Sequence, residues 1–147
     1  MANNNHLIDN YIDALLVEAV ERKKELNTET LTTVYLGGGT PSLLSSTQLS
    51  KLVNGLKKVF DFSDVEEFTI EVNPDDVTPE CIQQSKSLGI NRVSMGVQSF
   101  SDEDLRFINR RHTAKQATDA IHIIKETGID NISIDLIYGI PGQNFEK

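Results

Sequence analysis

The sequence predicts an α/β chain, a partial (β/α) barrel with parallel strands and helices outside, and three observations predict it. Strand-like and helical periodicities alternate along the chain; the later strand segments carry one apolar and one polar face; and glycines and charged residues collect where strands end. Alternation of this kind implies right-handed crossovers between parallel strands.

Leu7, Ile8, Tyr11, Ile12, Leu15, Leu16 and Ala19 recur at helical spacing, with Glu18, Glu21, Arg22 and Lys23 outside the stripe, and predict a first helix. Thr33 to Leu36 then reads as a short strand, and Gly37-Gly38-Gly39-Thr40-Pro41-Ser42 as a loop. Ser45 and Gln48 have capping-box spacing before a second helical stripe of Leu49, Leu52, Val53, Leu56, Val59 and Phe60. Phe68 to Val72 is the second strand. Thr78-Pro79 supplies an N-cap and a first-turn proline for the next helix, and Gly89 is placed to end it. Arg92 to Val97 is the third strand, Ser101 caps a short helix, and Thr113 with Gln116 opens a longer one whose apolar face is Ala117, Ala120, Ile121 and Ile124, ended at Gly128. Asn131 to Ile137 is the fourth strand.

The strand faces separate a barrel from an open sheet. Phe68, Ile70, Val72, Val93, Met95, Val97, Ile132, Ile134 and Leu136 alternate with Thr69, Glu71, Ser94, Gly96, Gln98, Ser133 and Asp135. A doubly wound sheet would bury that polar set under helices at a cost, whereas a curved sheet with a polar, ligand-holding lumen satisfies both faces. The chain opens on a helix where such a unit wants a strand, and it stops at Gly139 to Lys147, where a fifth helix should begin. Both read as an excised piece, with a natural start at Met1 the open alternative.

The 147 residues suffice for one domain with a core, and the formal net charge of −8 opposes a grip on nucleic acid, which needs Lys and Arg to neutralise phosphates. No stretch approaches the roughly 20 apolar residues of a membrane helix, and the polar Met1-Ala2-Asn3-Asn4-Asn5 is no signal peptide, so a cytoplasmic location is expected. Cys81 is the only cysteine, which forbids an internal disulfide and a thiolate-built cluster or zinc site; it reads as a small apolar helix residue.

Ligands of parallel β/α folds bind at the strand ends. There stand Gly37 to Thr40, Glu71 with Asn73, Gly96 with Gln98, and Asp135 with Gly139. Blander readings compete. The glycines could form only a sharp turn, since the lysine of a P-loop is missing, and Glu71 and Asp135 could be structural carboxylates paired with Arg92 or Arg110. Arg110, Arg111 and His112 read as a solvated cluster, His6 and His122 as helix-face histidines without metal-like clustering, and Tyr138 as packing.

Leu36 to Ser42 (LGGGTPS), Ile70 to Pro74 (IEVNP), Arg92 to Phe100 (RVSMGVQSF) and Ile134 to Gln143 (IDLIYGIPGQ) are four ordered segments at strand ends. Together they resemble one radical S-adenosylmethionine (SAM) family, which contains the oxygen-independent coproporphyrinogen III oxidases and the heme chaperone HemW. The resemblance implies a radical SAM barrel with SAM as cofactor. It implies that Gly38, Gly39 and Thr40 meet the methionyl amino group and Arg110 the carboxylate, that Glu71, Gln98 and Asp135 hold the amino and ribose groups, and that Ile137 lies near the adenine. In the family a CxxxCxxC loop ligates a 4Fe-4S cluster whose electron splits SAM into methionine and a 5′-deoxyadenosyl radical. This chain has no such loop, so no metal ligand or catalytic residue is assigned and the isolated chain is expected to be inactive. The implied partner of the longer parent is a tetrapyrrole: coproporphyrinogen III for oxidative decarboxylation, or heme for a chaperone. Ser99-Phe100 and Asn109-Arg110-Arg111-His112 resemble HemW more than the oxidases. An unrelated phosphate-binding β/α barrel is the further alternative, and the electron donor is not specified by these residues.

Overall fold

The computed structural model describes residues 2–26 and 30–143, so the proposed start of a fifth helix around Asn144 to Lys147 lies outside the described residues. The chain divides into two compact units, Met1–Val34 with Leu44–Glu67, and Tyr35–Leu43 with Phe68–Lys147. No described helix is long and apolar enough to cross a membrane.

The first unit is built on α1 (Ala2–Arg22) and α2 (Ser46–Val59). Ser45 caps α2 through the expected reciprocal box with Gln48, which also donates to Asp9 of α1 at 3.0 Å. Gly55 lets the helices approach closely, since a Cβ there would stand 2.5 Å from the Leu16 side chain. Ile12, Leu49, Leu52 and Val53 are buried, whereas Leu7 and Tyr11 are 66% and 63% exposed. The apolar stripe expected of the first helix is therefore only partly used. Helical spacing marks a potential face without fixing how much of it a neighbour covers.

Strands β1 (Thr33–Leu36), β2 (Glu67–Val72), β3 (Arg92–Gln98) and β4 (Asn131–Leu136) form one sheet in the order β1-β2-β3-β4. β2 pairs parallel with β3, placing Glu71 beside Ser94, and β3 pairs parallel with β4, placing Ser94 beside Ser133. Between them run α3 (Pro79–Ser87), α4 (Asp102–Phe107) and α5 (Ala114–Glu126). The expected caps are in place: Thr78 accepts from Cys81 N–H, Ser101 from Asp104 N–H, and Thr113 from Gln116 N–H. Gly89 and Gly128, just beyond their helices, take φ of +95° and +82°, a region glycine enters without a Cβ clash.

The core of this second unit joins Phe68, Ile70, Val72, Val93, Met95 and Val97 of the sheet's apolar face with Ile82, Ala117, Ala120 and Ile124 of the helices, all buried. β4 departs from that pattern. Ile134 is 38% and Leu136 56% exposed, so the helix layer expected over them does not cover them among the described residues. Tyr138, read as packing, is 95% exposed. The loop after β1 includes a 3-10 turn at Pro41–Leu43, admitted because proline's fixed φ suits a turn's first position.

Candidate functional site

The glycine loop is fixed from the second strand. Glu71 Oε1 accepts the Tyr35 hydroxyl at 2.8 Å while its Oε2 accepts Gly38 N–H at 3.1 Å. Donation to Glu71 raises the Tyr35 pKa above its usual 10.0. A Cβ on Gly37 would lie 2.5 Å from the Tyr35 ring and 2.8 Å from the Glu71 carboxylate, so any larger residue must displace one of these side chains. Gly38 and Gly39 need glycine for a different reason: both have φ near the left-handed region, +76° and +75°, with open space where a side chain would stand.

At the ends of the strands lies a cleft of about 260 Å³ whose lining includes Gly39, Thr40, Glu71, Gln98, Arg110 and Asp135. Of the eight residues given ligand roles from the sequence, these six are brought together. Gly38 adjoins the lining without forming it, and Ile137 stands outside it, its N–H donating to Gln98 O at 2.9 Å. Val72, Asn73, Ser94 and Gly96 complete the wall. Asn73 and Gly96 are legible as rim residues and Ser94 as part of the polar strand face, but no motif singles them out as ligands.

Backbone irregularity shapes the β3 end. The pairing with β4 shifts register between Met95 and Gln98, and Gln98 takes φ +69°, unusual for a residue with a Cβ. A Cβ on Gly96 would meet Gln98 Nε2 at 2.8 Å, so glycine leaves room for the amide.

The two carboxylates differ in their partners. Those of Glu71 are Tyr35 and Gly38, whereas Asp135, exposed, makes no hydrogen bond or ion pair among the described residues. Arg92, considered from the sequence as a partner for either, donates to Thr69 Oγ1 at 3.1 Å and Ser133 Oγ at 2.9 Å. Strand alternation puts Arg92 on the polar face, but at its opposite end, two pairs below Glu71.

The solvated reading of Arg110, Arg111 and His112 is corrected at the histidine. His112 is only 3% exposed, and its Nε2–H donates to Val97 O at 2.9 Å. Arg111 is solvated as expected, its side chain 69% exposed, and is also ion-paired with Asp75 at 2.7 Å. Only the Arg110 side chain is left facing the cleft without an ion pair among the described residues. A tripeptide that looks uniformly polar thus points in three directions, which loop sequence does not reveal.

A larger hollow of about 640 Å³ in the first unit, lined by Lys23, Lys24, Leu31 and Phe60 among others, holds none of the candidate residues. No group of three or more His, Cys, Asp or Glu among the described residues could hold a metal ion. Cys81, half-buried in the first turn of α3, has its thiol pKa raised by that burial.

A family model described as the radical SAM superfamily matches residues 4–147. The heme chaperone HemW of Lactococcus lactis is 42% identical over 135 residues, covering 92% of this chain and 36% of that protein. The oxygen-independent coproporphyrinogen III oxidase of Escherichia coli is 35% identical over 142 residues, 97% of this chain and 31% of that one. The solved structure of coproporphyrinogen III oxidase from Escherichia coli, a radical SAM enzyme, aligns with a TM-score of 0.85 at 36% identity over 95% of this chain and 32% of its own. The chain thus spans about a third of the length of these relatives. The fold class expected from strand faces and order agrees with this likeness.

Proposed function

The chain belongs to the radical SAM superfamily, and on that premise we propose that it is the SAM-holding part of a longer, cytoplasmic protein of heme or porphyrin metabolism. The observation that carries the proposal is the cleft, where an arginine and an aspartate whose side chains have no hydrogen-bond or ionic partner among the described residues stand with a glutamine, a glutamate and a glycine loop. SAM presents an amino group, a carboxylate, a ribose diol and an adenine, and the donor set suits it. The Arg110 guanidinium would receive the carboxylate as a charge-assisted pair. Asp135, in phase with Ser133 on the polar strand face, would accept from the diol, and Gln98 would add an amide at the same end. Glu71 would contribute remaining lone pairs, since each oxygen already has one internal donor. Gly38, Gly39 and Thr40 would meet the amino group, the loop's open left-handed backbone permitting close approach. Ile137 is assigned to the adenine through its motif alone.

Bound SAM, with a reduced iron–sulfur cluster, supplies radical initiation in this superfamily. The residues present do not fit the cluster: one cysteine cannot provide three thiolates, and Cys81 lies in α3. Treating the chain with iron and sulfide should give no stoichiometric four-iron absorption; a centre that survived Cys81→Ala would overturn the proposal that the ligands lie outside this sequence.

For the parent we favour a HemW-like heme chaperone over an oxidase. The support is the Arg110-x-His112 pattern, with the arginine at the cleft and the histidine buried against Val97 O, together with 42% identity to a HemW and 35% to an oxidase. Calorimetric titration with SAM tests the shared part: no binding would end it. Heme titration of the parent, read by Soret absorption, against an assay of coproporphyrinogen III decarboxylation separates the two. Decarboxylation without heme binding would favour the oxidase.

A further inference from the structure

Outside the cleft lining, two adjacent carboxylates tie together chain segments that contribute to it. Asp75 and Asp76 sit in the 3-10 turn Pro74–Asp76 directly after β2, with side chains 18% and 11% exposed. Asp76 Oδ2 accepts the Ser42 hydroxyl at 2.9 Å and faces Asn73 Nδ2 at 3.5 Å, while its Oδ1 lies 3.7 Å from the Arg111 guanidinium. Asp75 Oδ2 lies 2.7 Å from that same Arg111 nitrogen. The other Asp75 oxygen is 4.0 Å from Nδ1 of His112, whose Nε2 donates to Val97 O beside Gln98.

Ser42 stands two residues after Thr40, and Arg111 and His112 follow Arg110 directly. None of Ser42, Asp75, Asp76, Arg111 or His112 lines the cleft. Their common effect is on placement: one turn holds the far end of the glycine loop and the segment bearing Arg110, and it lies near His112, which is bonded to the end of β3. We infer that Asp75 and Asp76 are positioning residues that set the glycine loop and Arg110 at their working separation for SAM, an inference that rests on the SAM-binding reading above. The carboxylates are largely buried although the Arg111 side chain is 69% exposed, so the Ser42 hydrogen bond restrains geometry more tightly than the ion pairs, whose solvated partner loses less by separating. Support of this kind matters because small displacements of ligand-facing groups are costly to recognition.

A turn that only stabilised the fold would lower the melting temperature without changing the affinity of the molecules that remain folded. The test is SAM titration by calorimetry on the chain, with melting curves, for wild type, Asp135→Asn, Asp76→Ala, Asp76→Asn and Ser42→Ala, all below the lowest melting transition. Asp76→Asn keeps an acceptor for Ser42 but loses the charge that attracts Arg111. The expected result is that Asp76→Ala weakens SAM binding by about tenfold, Asp76→Asn recovers part of the loss, and Ser42→Ala, the mildest change, weakens it by roughly threefold. If wild type binds SAM and Asp135→Asn weakens it while Ser42→Ala and whichever Asp76 variants fold bind as wild type does, the positioning role is overturned and the SAM reading stands. Absence of SAM binding by wild type would bring down both.

Discussion

The polar face of the sheet has two ends built from similar residues and doing different work. At the end where the strands begin, Thr69 is fully buried, and Arg92 bridges it to Ser133 across three adjacent strands. At the end where they finish, Asp135 and Arg110 reach a cleft with no internal hydrogen-bond or ionic partner for their side chains among the described residues. No buried side-chain nitrogen or oxygen of the described residues lacks a partner, so the polar groups left over are those that water or a ligand can reach. A polar residue on a strand face is thus not by itself a ligand residue. What separates the two classes is whether the protein satisfies it internally.

The largest expected effect breaks the satisfied end. Arg92→Leu should lower stability by about 2–3 kcal/mol, because it removes a charged donor from two hydroxyls. A fall of several degrees in the melting curve, with SAM affinity changed less than threefold, is the expected pair of results. The reverse pair, intact stability and lost SAM binding, would erase the distinction between the ends.

Asp135→Asn probes the open end. It should weaken SAM binding by about tenfold or more, equivalent to roughly 1.4 kcal/mol, and leave the melting temperature nearly unchanged. Lost stability with intact affinity in the same two measurements would make Asp135 structural.

Gly37→Ala sharpens the comparison at the hinge between structure and site. The added Cβ must displace Tyr35 or the Glu71 carboxylate. Both are side chains that can move, so the loss should be about 1 kcal/mol and appear as a several-fold weaker SAM interaction rather than as unfolding. Unchanged affinity in the titration would show that the Glu71 tether does not set the loop.

The smallest effect belongs to Tyr35→Phe, which deletes one exposed hydrogen bond and should cost threefold or less in SAM affinity. It has a pH counterpart. The Tyr35 pKa is raised by its bond to Glu71, so the tether is complete below the ordinary tyrosine value of 10.0 and is lost as pH rises through the raised one. Ultraviolet difference titration should show one phenol ionising above pH 10.0 that is missing from Tyr35→Phe. A variant spectrum identical to wild type would refute it.

Features decided over a few residues were legible in the sequence. Ser45 with Gln48, and Thr113 with Gln116, form their capping boxes because partner and cap are three residues apart. The two faces of β2 and β3 follow from alternation, and this brought six cleft residues within reach of a reading by motif. What escaped depends on segments far apart in the chain. Arg92 is fixed by Ser133, 41 residues away, and the buried His112 bonds the carbonyl of Val97, 15 residues away. The exposed side of α1 and the uncovered Leu136 escaped for the same reason, since periodicity states which face is apolar and not what lies over it.

The backbone of Gln98 carries one more consequence. A left-handed φ costs a residue with a Cβ about 1 kcal/mol or more relative to glycine, and glycine is one point in the genetic code's alphabet that would relieve it. Selection that acted on foldability alone would drift toward that relief. Under the SAM-binding role proposed above, the Gln98 amide returns at the site a backbone cost that the fold bears, and Asn109, at φ +56° and outside the cleft lining, bears a similar cost with no such return.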